Sequence, residues 1–479
     1  MTNVTNRESA ASVGAEVTRL EPAATPVDAC RHLAQTVAGA RTRSRDGGLL
    51  RFETPLDVRV DPLTWLRVAA PVPRFYWSSR DGGPVVVGAG VADEVRGDGF
   101  DVIGAALRSP GRAAAEVRRF LTARFDLRGE VEDDWRHFGR IVLRLPLLEL
   151  CVWKDRALLA VNIEPGANRE DGAPDSVAAV ISTLRDAEAA MRAWPPEPAP
   201  VTMEIDADAE TAAAWTRNVD ALTGAISSGR LRKAVLARAA RLPGRADGAD
   251  LLAHLVQRRP RAFRFLVQPS ADAAFVGATP ELLYRRRGRA IESEAVAGTR
   301  PRGSEPGADD RLGRELRASS KDAEEQLLVH EHIVSGLGPL CETLDAEPEP
   351  RLLKLESVQH LRSRVRGRLR EGVSDADVLA ALHPTPAVCG FPTEEALPLL
   401  RELERFDRGL YGGVVGMLTG DEAELAVAIR SALALPDEVR LFAGSGIVAG
   451  SRPKAEWAET ELKLRAVAAL LGEPGAGPA

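Results

Sequence analysis

The first half of the chain is dominated by short apolar runs that alternate with polar positions. A period of two predicts β-strands, and four such runs are strongest: Leu49–Val58, Arg74–Ser79, Pro84–Ala92 and Ile141–Trp153. Asp81-Gly82 has the composition of a tight hairpin turn. Single helices are predicted to interrupt the strands, for example at Gly111–Arg124.

Longer helical patterns appear in the second half. Trp215, Val219, Leu222 and Ile226 share one face of a helix predicted over Ala209–Gly229. Further strands are predicted at Leu231–Leu242, Ala262–Gln268, Ala273–Ala278, Glu281–Gly298 (a hairpin turning at Gly288) and Leu352–Leu369. A long helical region is predicted from Arg311 to about Leu344. Because strands outnumber helices and arrive in runs, the pattern predicts an α+β fold, with large antiparallel sheets and helices packed outside.

A Pro-rich break at Trp194–Val201 divides the chain, either as a linker or as an ordered crossover. It separates a strand-rich N-terminal part, residues 1–200, from residues 201–473, which hold the candidate chemistry. We expect the two parts to form one intertwined globular unit.

Composition narrows the class of protein. The chain has 479 residues, 44% hydrophobic and 28% charged, with a net charge of −6. This acidic balance argues against nucleic acid as a partner, and no apolar run is long enough to predict a membrane span. The N-terminus lacks the pattern of a secretory signal, and the four cysteines are widely spaced with no CxxC, which favours reduced thiols in the cytoplasm.

Candidate chemistry is concentrated near the C-terminus. Glu456, Glu459 and Lys463 are spaced i, i+3, i+7, so a helix would place them on one face, either as an ordinary solvated face or as part of a site. The preceding stretch, Ala443–Ser451, predicts a Gly-rich loop whose backbone N–H groups can face an anion. Its GxGxxxG spacing does not complete a dinucleotide fingerprint. With Glu325, the two glutamates form an oxygen-only set that suits Mg²⁺.

Arg430 is the candidate for anion binding. Along the strand predicted at Glu424–Leu435 it shares a face with alanines, which leaves space for a guanidinium to bind a carboxylate in bidentate fashion. A salt bridge within the fold is the alternative. Lys233 and Glu281 are unremarkable when each is taken alone.

These stretches resemble the chorismate-utilising enzymes over about Ala209–Leu471. The family includes isochorismate synthase, salicylate synthase and the large components of anthranilate and aminodeoxychorismate synthases. Nine blocks carry the resemblance in order: RKAVLAR, FVGATPELL, EAVAGTRPRG, SKDAEEQLLV, SVQHLRSRV, LHPTPAVCGFP, FDRGLYGGVVG, AVAIRSA and AGSGIVAGSRPKAEWAETELK. The resemblance implies the family's fold, in which large antiparallel sheets pack face to face with helices outside.

The resemblance also implies roles for single residues. Lys233 matches the general base that activates water at C2 of chorismate, and Glu281 matches the general acid at C4. Glu325, Glu456 and Glu459 match a Mg²⁺ site. The positions implied for substrate binding are Gly298, Thr299, His360, Ala387, Tyr411, Arg430, Gly444, Gly446 and Lys463.

Within the family the resemblance is closest to isochorismate synthases. Ala297 stands where aminodeoxychorismate synthases have Lys, and Lys233 points to water rather than ammonia as the nucleophile. No glutaminase subunit is then expected. We expect the protein to be a monomer. Ala387 favours isochorismate synthase, with salicylate synthase as the alternative. A catalytically inactive chorismate-binding regulator would need a broken acid, base or metal ligand. Cys389, where relatives usually have Gly, is the one departure, and it concerns the shape of that turn.

Overall fold

The computed structural model describes residues 16–39, 49–68, 70–107, 117–163, 176–192, 209–258, 261–303, 305–354 and 358–471. The elements before residue 200 are β1 (Glu16–Arg19), α1 (Pro26–Gly39), β2 (Leu50–Leu56), α2 (Pro62–Val68), β3 (Arg74–Ser78), β4 (Val85–Ala89), β5 (Asp93–Gly97), α3 (Asp101–Ala106), β6 (Arg119–Ala123), β7 (Ile141–Leu145), β8 (Leu148–Val152), β9 (Ala157–Ile163) and α4 (Ser176–Arg192).

The later elements begin with α5. They are α5 (Ala209–Ser227), β10 (Lys233–Pro243), α6 (Gly248–Arg258), β11 (Phe263–Ser270), β12 (Ala273–Thr279), β13 (Leu282–Arg287), β14 (Ala290–Pro301), α7 (Pro306–Ala318), α8 (Ser320–Leu337), β15 (Cys341–Ala346), β16 (Arg351–Lys354), β17 (Val358–Leu369), α9 (Asp375–Leu382), β18 (Gly390–Phe391), α10 (Thr393–Leu403), β19 (Val414–Leu418), β20 (Glu422–Val427), β21 (Ser431–Ala434), β22 (Glu438–Ile447) and α11 (Pro453–Leu471).

The strands form two large sheets. Sheet 1 has twelve strands in the order β1-β2-β9-β8-β4-β3-β11-β12-β21-β22-β10-β18. Sheet 2 has ten, in the order β15-β17-β14-β13-β20-β19-β6-β7-β5, with β16 also paired to β17. The strand pairs are antiparallel, apart from the parallel pair β1–β2. Both sheets therefore take strands from before and after residue 200.

The inner faces of the sheets pack through a layer of aromatic side chains. Phe75 of β3 stacks on Phe120 of β6 with ring centroids 5.2 Å apart, and these strands belong to different sheets. Trp135 meets Phe275 of β12 edge-on at 5.5 Å. Burial of such large side chains is the main stabilising term for a face-to-face sandwich. The predicted α+β class with large antiparallel sheets is confirmed.

Two adjacent crossovers join the sheets and position the site. The chain leaves sheet 1 after β12 and enters sheet 2 at β13, and it returns from β20 to β21. The backbone N–H of Val427 donates to the Glu281 carbonyl at 3.1 Å, and that of Ala278 donates to the Arg430 carbonyl at 3.1 Å. The two crossovers are therefore hydrogen-bonded to each other's flanking strands, which holds Glu281 and Arg430 close together.

A buried ion pair fixes β10 against the turn that contains Ala387. Arg408 donates to the Val388 carbonyl at 2.7 Å and to the Val235 carbonyl at 2.6 Å, while its Nε binds Glu404 at 2.7 Å. Buried guanidinium groups need such full pairing, because an unpaired buried charge costs several kcal/mol.

Two sequence predictions need correction here. The helix predicted at Gly111–Arg124 is wrong over its described part, because Arg119–Ala123 is strand β6, paired with both β7 and β19. Residues 108–116 lie outside the described residues, as does the Pro-rich break at Trp194–Val201. The helical region predicted at Arg311–Leu344 is two helices, α7 and α8, followed by a strand. Ser319 ends the first helix and caps the second by accepting from the Asp322 N–H.

In the part of the chain that the structure describes, no helix combines the length and apolar character needed to cross a bilayer.

Candidate active site

The Gly-rich stretch near the C-terminus is a strand over most of its length. Gly444 and Gly446 lie inside β22, where they pair with Ala237 and Val235 of β10. The predicted loop is therefore wrong for residues 443–447, and only the turn before α11 remains. Residues 443–447 pair with β10 along one edge only, and the glycines of this segment serve a further purpose.

That purpose is close approach of side chains to the strand. A Cβ on Gly446 would lie 1.9 Å from Glu325 Oε1 and 3.1 Å from Lys233 Cε. A Cβ on Gly444 would lie 3.3 Å from the Tyr411 hydroxyl oxygen. Because the strand has no side chain at these two positions, groups from α8, β10 and the turn before β19 can come together against its backbone.

Helix α11 covers the same strand with its predicted face. Ser445 Oγ donates to Glu456 Oε2 at 2.6 Å. Lys463 Nζ donates to Glu459 Oε1 at 2.6 Å and to the Gly444 carbonyl at 2.8 Å. Burial acts to raise the pKa of Glu459, but Lys463, together with Lys321 and Ser445, outweighs burial and holds that pKa below its ordinary value. The prediction that Glu456, Glu459 and Lys463 share one helix face is confirmed.

The three predicted metal ligands are paired with lysines. Glu325 Oε1 lies 3.7 Å from Lys233 Nζ, Glu459 binds Lys463, and Glu456 Oε1 accepts from Lys321 Nζ at 3.0 Å. Among the residues that the structure describes, no three His, Cys, Asp or Glu side chains are gathered tightly enough to hold a metal ion as they stand.

The electrostatic effect of the three glutamates on Lys321 shows whether these carboxylates suit a bound cation. Burial acts against its ammonium form, but Glu456, then Glu325 and Glu459, hold the pKa of Lys321 above its ordinary value. All three glutamates therefore stabilise a positive charge at the position of this ammonium group. An oxygen-only carboxylate set with that property fits a hard divalent cation such as Mg²⁺.

Glu281 is buried at the first crossover, next to several cations. Burial raises the pKa of its carboxyl to about 7, against the opposing fields of Lys233, Arg430 and Lys463, while Glu294 raises it further. A carboxyl group that is half protonated near neutral pH is suited to donate a proton. The structure therefore brings Glu281 near two predicted binding residues and the predicted base.

Arg430 lies at the second crossover rather than on a strand. The prediction that it extends a strand face is wrong, because β20 ends at Val427 in sheet 2 and β21 starts at Ser431 in sheet 1. Arg430 has φ of 53°, the only positive φ at a non-Gly position in the described residues. This left-handed conformation is unfavourable for a residue with a Cβ, and it aims the side chain where the chain changes sheet.

His360 is a neutral group held by the bulge of β14. Its Nδ1 lies 3.0 Å from the Gly298 carbonyl and 3.1 Å from Thr299 Oγ1. Since a carbonyl only accepts, Nδ1 carries the proton. Burial lowers the pKa of His360 to about 4, and Nε2 is buried without a hydrogen-bond partner among the described residues. That nitrogen is an acceptor available to a ligand.

Tyr411 and Ala387 complete the predicted set. Tyr411 stacks on Phe442 with ring centroids 5.2 Å apart, and burial raises the pKa of its hydroxyl to about 12. Arg430 and Glu281 are both within its electrostatic reach. Ala387 is half-buried in the turn that Arg408 holds against β10.

Two further residues at the site were not predicted from the sequence. Lys321 lies one turn before Glu325 on α8, and that spacing was the available signal. Ser445 lies between the two glycines, where a strand period of two would have pointed it at α11.

Taken together, the site has a protonatable acid, an amine, a neutral histidine acceptor and two additional cations, Arg430 and Lys463. Such a set can bind a small dianion and move protons at two positions on it.

Comparisons with known proteins agree with this chemistry. The family model described as chorismate binding enzyme matches residues 33–472. Isochorismate synthase 2, chloroplastic, from Arabidopsis thaliana is 31% identical over 480 residues, which cover 94% of this chain and 85% of the relative. The salicylate biosynthesis isochorismate synthase of Pseudomonas aeruginosa is 36% identical over 356 residues, 74% of each chain.

A solved structure is also similar over nearly the whole chain. MenF, the menaquinone-specific isochorismate synthase from Escherichia coli, superposes with a TM-score of 0.80 at 28% identity, covering 93% of this chain and 100% of that one.

The close approach at Gly446 can be tested directly. In Gly446→Ala we expect the new methyl group to push the Glu325 carboxylate away from Lys233. Because that carboxylate is the end of a flexible side chain, the unfolding free energy should fall by no more than the ~1–3 kcal/mol typical of an added methyl group in a packed site. A crystal structure and urea denaturation would measure the two effects.

Gly444→Ala is the matched control, since its Cβ would meet Val235 and Tyr411 but not Glu325. An unmoved Glu325 in Gly446→Ala would show that the bare strand is not needed for this contact.

Proposed function

The chain belongs to the chorismate binding enzyme family, and on that premise we propose that it is an isochorismate synthase. It would convert chorismate reversibly to isochorismate, with addition of water at C2 and loss of the C4 hydroxyl. The observation that carries the proposal is Glu281, whose burial raises its pKa to about 7 among Lys233, Arg430 and Lys463.

The reaction needs an acid and a base at different positions. Hydroxide is a poor leaving group and water is a weak nucleophile, so each requires a proton transfer. Lys233, as the neutral amine, takes a proton from the water that attacks C2. Protonated Glu281 gives its proton to the C4 hydroxyl, which leaves as water while the ring double bond shifts. One water enters and one leaves, and in the reverse direction the two residues exchange roles.

The cations would hold the substrate dianion. Arg430, whose charge acts on the Tyr411 hydroxyl, would bind the side-chain carboxylate, since a guanidinium binds such a group through two hydrogen bonds. His360 Nε2, which lacks a partner among the described residues, would accept from a substrate hydroxyl or from water. Gly298, Thr299 and the Ala387 turn would shape the wall of the same space.

Magnesium is proposed as the metal. Glu325, Glu456 and Glu459 would hold it, and the support is the chemistry of this donor set and the field that the three share at Lys321. When bound, such an ion would hold the ring carboxylate of chorismate and offset the negative charge beside Lys233.

Water rather than ammonia is proposed as the nucleophile, so no glutaminase subunit would be required. The support is Lys233, a buried base at the first residue of β10, together with Ala297 in place of a Lys on β14.

Product analysis tests the activity. With chorismate and Mg²⁺ we expect isochorismate to accumulate to an equilibrium mixture, as measured by chromatography. Salicylate and pyruvate without isochorismate would overturn this proposal in favour of a salicylate synthase.

We expect Lys233→Ala and Glu281→Gln to lose at least about 10²-fold in turnover, the usual contribution of a positioned acid or base, and to keep substrate binding. Normal turnover in Lys233→Ala would refute its assignment as the base.

The pKa of Glu281 sets a pH dependence. Because Glu281 must be protonated to donate, kcat/KM in the forward direction should fall as pH rises through about 7. Glu294 raises the pKa of Glu281, so Glu294→Gln should move this fall to lower pH. Glu292→Gln, two residues earlier on the same strand, is the control and should leave the profile in place. Equal shifts in both variants would contradict the assignment of Glu281 as the acid.

Lys321 should compete with the metal. Its side chain is the most exposed of the three lysines, at 40% against 23% for Lys463 and 3% for Lys233, so it has a path to solvent when Glu456 binds an ion. We expect Lys321→Met to bind Mg²⁺ roughly three- to tenfold more tightly, since one ion pair need not be broken. Calorimetric titration of metal-free protein, without substrate, measures this.

Lys354→Met is a matched control, because Lys354 is similarly exposed, at 36%, and paired with Asp309 outside the site. Unchanged or weaker Mg²⁺ binding in Lys321→Met would place the metal away from Glu456.

A further inference from the structure

A cavity of about 490 Å³ lies on sheet 2, walled by β13, β14, β17 and the turn between β3 and β4. Leu282, the residue that follows Glu281, lines it, but none of the predicted site residues does. Its volume is in the range of sites for small metabolites.

The walls of this cavity are strongly basic. Seven basic and three acidic side chains line it, which leaves an excess of four positive charges in a chain whose net charge is −6. Arg362, Arg364 and Arg366 contribute to it from alternate positions of β17, so they share one face of the sheet.

The acidic groups satisfy these arginines only in part, and Arg366 has one hydrogen bond, to Glu292 at 3.4 Å. Glu294 is shared between Arg80, at 3.0 Å, and Arg362, at 3.4 Å. Arg364 has carboxylate oxygens of Glu292 and Glu294 only at 3.9 Å, beyond hydrogen-bonding distance. The Nε atoms of Arg362 and Arg364 are both buried without a hydrogen-bond partner among the described residues. Buried donors of this kind are unfavourable unless a ligand or water completes them.

Arg261 adds a further guanidinium at the cavity wall. It is exposed, and it forms no ion pair with a carboxylate in the described parts of the chain. Together with Arg362 and Arg364 it provides planar donor groups from two parts of the fold. Guanidinium groups in such an arrangement bind carboxylate or phosphate oxygens in bidentate fashion.

We propose that this cavity is a second anion site, which binds a small metabolite carrying two or more carboxylate or phosphate groups between Arg261, Arg362 and Arg364.

An occupant would be close to the catalytic acid. Arg80 donates one arm to the carbonyl of Pro280, the residue before Glu281, and the other to buried Glu294. A ligand that draws Arg362 away from Glu294 would change the charge balance next to Glu281. The cavity is therefore placed to couple the binding of an anion to the acid, although its occupancy can be measured without any reaction.

Direct titration tests the site. Citrate and pyrophosphate would be titrated separately into metal-free protein by calorimetry at constant ionic strength. We expect one saturable site with a submillimolar Kd for at least one of them, and the tighter ligand identifies carboxylate or phosphate as the preferred group. In the double variant Arg261→Gln, Arg364→Gln we expect binding to weaken by tenfold or more, since both groups with no carboxylate in hydrogen-bonding range are removed.

The control carries the same charge change outside the cavity. Arg287→Gln with Arg368→Gln removes two exposed arginines of sheet 2, at 75% and 58% exposure, and should change Kd by less than about threefold. Thermal unfolding would check that both double variants are folded. Three outcomes would overturn the proposal: no saturable binding of either ligand at 10 mM, full binding in the cavity variant, or equal losses in the two double variants.

Discussion

The site depends on a strand segment that has no side chains on one face. Glu325 and Lys233 meet above Gly446, and Tyr411 reaches Gly444, because nothing projects from β22 at either position. On the opposite face Ser445 and the Gly444 carbonyl bind Glu456 and Lys463 of α11. One strand therefore sets the separation between the predicted base, a predicted metal ligand and the helix that supplies the other two.

Electrostatic balance is the second constraint. Three glutamates face three lysines around β22, and the buried carboxyl of Glu281 faces Lys233, Arg430 and Lys463. At Glu281 burial outweighs the cations, so its pKa rises to about 7, whereas at Glu459 Lys463 with Lys321 and Ser445 outweighs burial and the pKa falls. Two carboxyl groups of the same site are thereby set for different tasks, one to exchange a proton and the other to remain charged.

Sequence patterns predicted those features that depend on local periodicity. The face shared by Glu456, Glu459 and Lys463 follows from the helical period, and the hairpin at Gly288 from its turn chemistry. The strand-like alternation of residues around Arg430 continues across the crossover. A period of two in the sequence therefore cannot show where the chain leaves one sheet for the other.

Glycine patterns are equally ambiguous, because closely spaced glycines suit both a loop and a strand whose backbone other side chains must approach closely. Only the tertiary structure shows that Glu325 needs the space at Gly446, or that Lys321 of α8 reaches a carboxylate on α11. The assignment of roles to the site residues stays a prediction, supported by how the fold brings these residues together.

The position of β22 in sheet 1 has a consequence for how the protein is made. Strand β10, which begins with Lys233, pairs with the short β18 on one side and joins the rest of that sheet only through β22, the last strand in the described residues. During synthesis strand β10 must therefore keep an unpaired edge until the residues of β22, Glu438–Ile447, have emerged. Pairing between strands so distant in sequence is slow and leaves open edges exposed to other chains. A truncation that reaches β22 would then do more than remove α11, because it would leave β10 and β18 without the strand that joins them to the rest of sheet 1.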